Sequence, residues 1–134
     1  MPRIASAALG GDEASIAADS NAMRGTLAAK PMQAYEVQEI AGPHGGVVRE
    51  YADRRGRVFA VAWQGNRMPD LAQLLGTYYD RYLAAASLHR SGHHLVVLRA
   101  PDLVVSVVRY QRSAFGHAYL PGRVPAGVLP AELR

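Results

Sequence analysis

At 134 residues, with 49% hydrophobic and 19% charged, the chain has the length and balance of one folded domain and excludes wholesale disorder. It holds no cysteine, which excludes a disulfide framework, a thiolate metal site and a cysteine nucleophile. The formal net charge is +4 and every basic residue except Lys30 is arginine. A GC-rich genome accounts for that composition, and an anionic partner is the functional alternative. Only Arg54, Arg55 and Arg57 form a tight group, with Asp53 beside them. No apolar run approaches the ~20 residues that a membrane-spanning helix needs.

In chain order, Asp12 or Ser15 can cap a helix starting near Glu13, with Ile16, Met23 and Leu27 on one face. Gly25 is its weak point and Lys30-Pro31 its end. Three strand-like runs follow, over 35–40, 47–52 and 57–64. The breakers Gly42-Pro43-His44-Gly45-Gly46 separate the first two, and the tight turn Asp53-Arg54-Arg55-Gly56 the last two. Short turns make the three an antiparallel meander. The third run alternates Val58, Ala60 and Ala62 against Phe59, Val61 and Trp63. Both its faces are apolar, which places it centrally and covered on both sides.

Pro69 and Asp70 open the main helix, and Leu71, Leu74, Leu75, Tyr78 and Tyr82 give it an apolar stripe that packs on the meander. It ends over 88–90, with Gly92 as a cap. Two further strands, 94–99 and 103–110, are joined at Ala100-Pro101-Asp102, and 112–120 can add another. Pro121, Pro125 and Pro130 disfavour regular structure in the tail. The expected architecture is α+β: an antiparallel sheet of about five strands (three-strand meander, helix, two further strands), with the main helix on one face and an N-terminal helix. Residues 1–11 are expected as a flexible N-terminus and 12–134 as one domain with a proline-rich C-terminal tail.

No stretch carries a specific catalytic, cofactor or metal signature. His89, His93 and His94 lie close in sequence, but adjacent histidines on a strand point apart, and a metal would need a converging set. Ser113 and His117 with Asp102 upstream lack the elbow that presents a nucleophilic serine. Glu36 and Glu39 fall on opposite strand faces, Asp70 and Asp80 are too far apart along a helix to touch, and Glu50 suits a cross-strand pair with arginine. The glycine-rich loop 42–46 joins two strands rather than opening a helix, so it is no phosphate loop. Against the RNA-recognition strand pattern, Arg57 and Ala62 stand where aromatics belong. Tyr79 lies off the helix stripe and can line a groove with Trp63. Arg49, Tyr51, Trp63, Gln64 and Tyr79 are therefore the candidate binding surface, on the expectation that they fall near one edge.

Several phrases in order resemble a known family. They are Ala8-Leu9-Gly10-Gly11-Asp12-Glu13-Ala14-Ser15, Val48-Arg49-Glu50-Tyr51, Gly56-Arg57-Val58-Phe59-Ala60-Val61-Ala62-Trp63-Gln64-Gly65, Pro69-Asp70-Leu71 with Leu74-Leu75-Gly76, and Pro101-Asp102-Leu103-Val104-Val105. The ending Ala118-Tyr119-Leu120-Pro121 through Val124-Pro125-Ala126-Gly127-Val128 belongs with them. Together they resemble the domain of unknown function 2844 family of small exported proteins of Gram-negative bacteria. The resemblance implies a signal peptide ending just before Ala8, which makes Ala5-Ser6-Ala7 a remnant cleavage site. It implies no catalytic residue. The expected function is a non-catalytic periplasmic or secreted accessory or binding protein, with no cofactor and with an envelope protein, glycan or lipid as partner. The alternatives are a small hydrolase-like enzyme with a spatially assembled site, and a basic nucleic-acid-binding domain.

Overall fold

The computed structural model describes residues 9–88 and 95–134. The chain is α+β, and its sheet has seven strands rather than about five. The elements are α1 (Glu13–Met23), β1 (Thr26–Pro31), β2 (Glu36–Ala41), β3 (Val47–Ala52), β4 (Val58–Gly65), α2 (Leu71–Leu75), α3 (Tyr79–Ser87), β5 (Leu95–Arg99), β6 (Val104–Arg109) and β7 (Ala114–Tyr119). The sheet runs β1-β2-β3-β4-β7-β6-β5, antiparallel throughout, so β4 is central, as its two apolar faces require.

The two added strands have different origins. β7 forms within 112–120, where a further strand was admissible. β1 replaces the expected C-terminal half of the first helix. That helix stops at Met23 because Arg24 takes a left-handed φ of 54° and Gly25 turns the chain against β2. A Cβ at Gly25 would stand 2.6 Å from Ile40 Cγ2 and 2.8 Å from the Ala41 carbonyl oxygen, so only glycine permits the approach. Leu27 thereby leaves the helix stripe and pairs with Ile40 in the sheet.

The main helix is also divided. Asp70 caps α2, its carboxylate accepting from the Gln73 N–H at 3.2 Å, and Leu71, Leu74 and Leu75 are buried as their spacing demands. Gly76, at φ 55°, then breaks the helix into a 3-10 turn (Gly76–Tyr78) before α3. The stripe survives the break: Tyr78 and Tyr82 pack on the cluster that holds Val48, Val58, Val61 and Trp63.

A bulge corrects the alternation expected for β4. Tyr51 pairs with Ala60 and Ala52 with Val58, which leaves Phe59 as the extra residue. Phe59 consequently joins Ala60, Ala62 and Tyr51 on one side, while Val58 joins Val61 and Trp63 on the other. Glu50 follows the parity of β3 and is wholly buried on the helix side. Arg49 pairs with Glu39, its register partner, at 2.9 Å.

Helices cover one side of the sheet and the tail covers part of the other. Two 3-10 turns, Pro121–Arg123 and Pro130–Glu132, carry the tail back to the sheet, where Leu133 is buried against Tyr51 and Phe59. Tyr51 Oη donates to the Arg134 carbonyl at 2.9 Å. Leu9 to Gly11, expected in a flexible segment, are docked as well: Leu9 N–H donates to Leu74, Gly10 N–H to Val58, and Val58 N–H to Gly11. Leu9 is fully buried, which fastens the start of the described chain to α2 and β4.

Candidate functional site

Antiparallel pairing brings the start of β3 and the end of β4 to one end of the sheet, and the connections there enclose a cavity of about 450 Å³. Its floor is Val48 and Trp63, its sides Met23 and Met68, and its rim includes His44, Gln64, Asn66 and Arg67. The two loops that wall it meet at glycine. The β2–β3 loop closes by Gly42 N–H donating to Gly46 at 2.7 Å, and a Cβ on Gly65 would stand 2.9 Å from Gly46 Cα. The backbones approach too closely there for a side chain at position 65.

Trp63 is the chemically distinctive member of the lining. It is buried with only 3% of its surface exposed, and its Nε1–H has no hydrogen-bond acceptor among the described residues. An indole donor left without an acceptor in an apolar setting costs about 1–3 kcal/mol, and this one is sealed from solvent on the Gly116 side of the ring. Met23 and Met68 add adaptable apolar contacts. Asp70, the one carboxylate lining this cavity, is taken up as the α2 cap.

A second concavity, also about 450 Å³, lies on the tail side between β1, β2, β3 and the tail. It holds Lys30, Arg49 with its partner Glu39, and Tyr51 and Tyr35 with Glu132 and Arg134. Burial pushes the Tyr51 phenol above its ordinary value, with Arg49 pulling the other way. Burial also raises Tyr35, assisted by the charge of Glu132.

The five residues picked from sequence do not share one surface. Trp63 and Gln64 line the loop-end cavity, Gln64 exposed at its rim and Trp63 in its floor. Arg49 and Tyr51 lie on the opposite side of the sheet, in the tail groove. Tyr79 lines neither; it packs on the helix-side core with its ring 6.0 Å from that of Tyr82. Strand parity separates Trp63 from Arg49 and Tyr51, whose register partners Ala62 and Ala60 are even-numbered in β4 whereas Trp63 pairs with Val48; Gln64 has the even parity and reaches the cavity only at its rim, where the strand ends. Sequence reasoning missed Met23, Val48 and Met68. The usable signal was that loops 42–46 and 66–70 must sit at the same end once β3 and β4 pair as a hairpin.

The other candidates are dispersed. Asp102 is held below its ordinary pKa by Arg81, which grips it with two hydrogen bonds of 2.8 and 2.9 Å. Ser113 sits beyond the far end of β6 from Asp102, so no triad assembles with His117. Glu36 accepts from Gln38 on one face while Glu39 pairs with Arg49 on the other. His89, His93 and His94 lie outside the described residues. Among the described residues, no group of three or more potential ligands is placed to hold a metal ion, and no helix is long and apolar enough to cross a membrane.

These features define an α+β protein whose antiparallel sheet lies between helices and a C-terminal tail, with an apolar-floored cavity at one end. A family model described as protein of unknown function (DUF2844) matches residues 5–133, nearly the whole chain, and the chain belongs to that family. No curated protein and no solved structure matches it.

Proposed function

We propose that this protein is a non-catalytic binding protein of the bacterial cell envelope, periplasmic or secreted. In this reading residues 12–134 act as one domain, and the loop-end cavity takes the apolar body of a lipid-like small molecule. The observation that carries it is the cavity itself: about 450 Å³ floored by Val48 and the ring of Trp63, with the adaptable side chains of Met23 and Met68 at its sides. That volume lies within the ordinary range of small-molecule sites, which combine an apolar lining with a few polar groups that orient the ligand. Gln64, Asn66 and Arg67 at the rim supply those groups. The enzyme reading has less support, because the lining carboxylate is engaged as a helix cap and the Ser113, His117 and Asp102 set is dispersed.

Trp63 is the sole tryptophan, so its emission reports on the cavity directly. Titration with a neutral acyl glycerol below its micellar concentration is expected to shift that emission saturably. Filling the space by Met68→Trp should abolish binding, read by calorimetry, while the fold is kept. Absence of saturable binding, or binding unchanged in Met68→Trp, overturns the cavity assignment. A turnover number on a generic ester, peptide or glycoside, abolished by one side-chain change, overturns the non-catalytic reading.

The envelope placement is supported by the resemblance and by the position of Ala5-Ser6-Ala7 just before Ala8. Mass spectrometry of the protein from its native host should find Ala8 at the N-terminus. A start at Met1 or Pro2 would reverse that placement and favour the nucleic-acid alternative.

A further inference from the structure

At the end of the sheet away from the cavity, the β3–β4 turn presents Arg54, Arg55 and Arg57, all exposed. The eight-residue β4 separates the two ends by about 25 Å. The turn's own acid does not neutralise these arginines by pairing with them through their side chains. Asp53 Oδ1 instead accepts the backbone N–H groups of Arg55 at 2.8 Å and Arg57 at 3.0 Å. Gly56, at φ 77°, closes the turn, its N–H donating to the Asp53 carbonyl at 2.9 Å. Arg54 is braced at one nitrogen, Nη2 donating to the Gln33 carbonyl at 2.8 Å.

The tail brings a further guanidinium to the same place. Arg123, in the 3-10 turn after Leu120, joins Arg54 and Arg55 around a concavity of about 440 Å³ walled by Pro125 and Ala126. Asp53 is its one acidic lining residue, and that carboxylate is occupied by the turn. Three arginines from segments nearly seventy positions apart in sequence thus line one open concavity, on a turn backbone held by hydrogen bonds.

We propose that this arginine pocket is a binding site for a phosphate group. Guanidinium is a planar fork of donors that matches phosphate oxygens two at a time, and a tetrahedral phosphate has oxygens enough to engage forks from both segments. An isolated carboxylate has too few. The chemistry is shared by the phosphate of an anionic lipid headgroup and by free phosphate, and the proposal is independent of what occupies the loop-end cavity.

The test uses two probes: inorganic phosphate, followed by amide NMR and calorimetry, and phosphatidylcholine vesicles with and without phosphatidylglycerol, followed by co-sedimentation. The double variant Arg55→Gln/Arg123→Gln keeps the Arg54 brace to Gln33. Arg99→Gln/Arg112→Gln removes the same charge from exposed positions elsewhere. Thermal melts establish that both variants fold. Binding weakened at least about tenfold in the first variant and kept in the second is the expected result. If it is seen with phosphatidylglycerol vesicles and not with inorganic phosphate, the source is a headgroup; the reverse makes it free phosphate. No binding in either arm, or equal loss in both variants, overturns the site.

Discussion

The indole of Trp63 lies directly over Gly116, its register partner across the β4–β7 pair: a Cβ added to Gly116 would stand 2.6 Å from Trp63 Cζ2 and against the Ser106 carbonyl. The cavity floor and the centre of the sheet are therefore one packing unit, an aromatic ring covering a strand glycine. Any change that lifts the indole deforms the cavity as well as the core.

Gly116→Ala is accordingly expected to lower stability by about 1–3 kcal/mol through overpacking, although glycine is intrinsically poor in a strand. Chemical denaturation measures this. In a Trp63→Leu background the same substitution should cost less, because one of its two clashes is gone, and the double-mutant cycle should show that coupling. Equal costs in both backgrounds would mean that Trp63 and Gly116 are independent.

Gly65→Ala tests the cavity wall. Its new methyl would press on Gly46 Cα, a backbone atom with nowhere to rotate. The expected outcome is a destabilisation of about 1 kcal/mol or more, with amide shifts concentrated in the two loops and weakened ligand binding.

The tail is part of the core. Leu133 is fully buried beside Tyr51 and Phe59, so Leu133→Ala should cost about 2–5 kcal/mol. Tyr51→Phe removes only the hydrogen bond to the Arg134 carbonyl and should cost about 1 kcal/mol, with faster amide exchange in the tail. A tail that could be truncated before Leu133 with no change in melting temperature would contradict this.

His117 should make stability pH-dependent. It is half-buried on the tail side, stacked on Tyr119 with ring centroids 6.1 Å apart, and opposite Ser106. Burial, and then the charge of Arg134, hold it below the ordinary 6.5. Between that lowered value and 6.5 the unfolded chain takes up the proton and the folded chain does not. Stability attributable to His117 is thus present above pH 6.5, falls as the pH drops through that window, and levels off below the folded value. Melting temperatures of His117→Gln should lack this part of the slope.

Residues such as Val48, Leu71, Leu74, Leu75 and Val105 owe their burial to local periodicity, and the sequence by itself determined them. It likewise determined β3, the position of β4 and the start of the main helix near Asp70, because period and turn chemistry act over a few residues. What only the tertiary structure decided involves distant neighbours. The switch from helix to strand at Gly25 depends on contact with Ile40, and the reassignment of Phe59 depends on a bulge opposite Tyr51 and Ala52. The cavity depends on two loops meeting at Gly46 and Gly65, and the arginine pocket on a tail that returns Arg123 to Arg54 and Arg55. These relationships rest on contacts between segments far apart in the chain, which residue spacing does not encode, and both candidate sites are built from them.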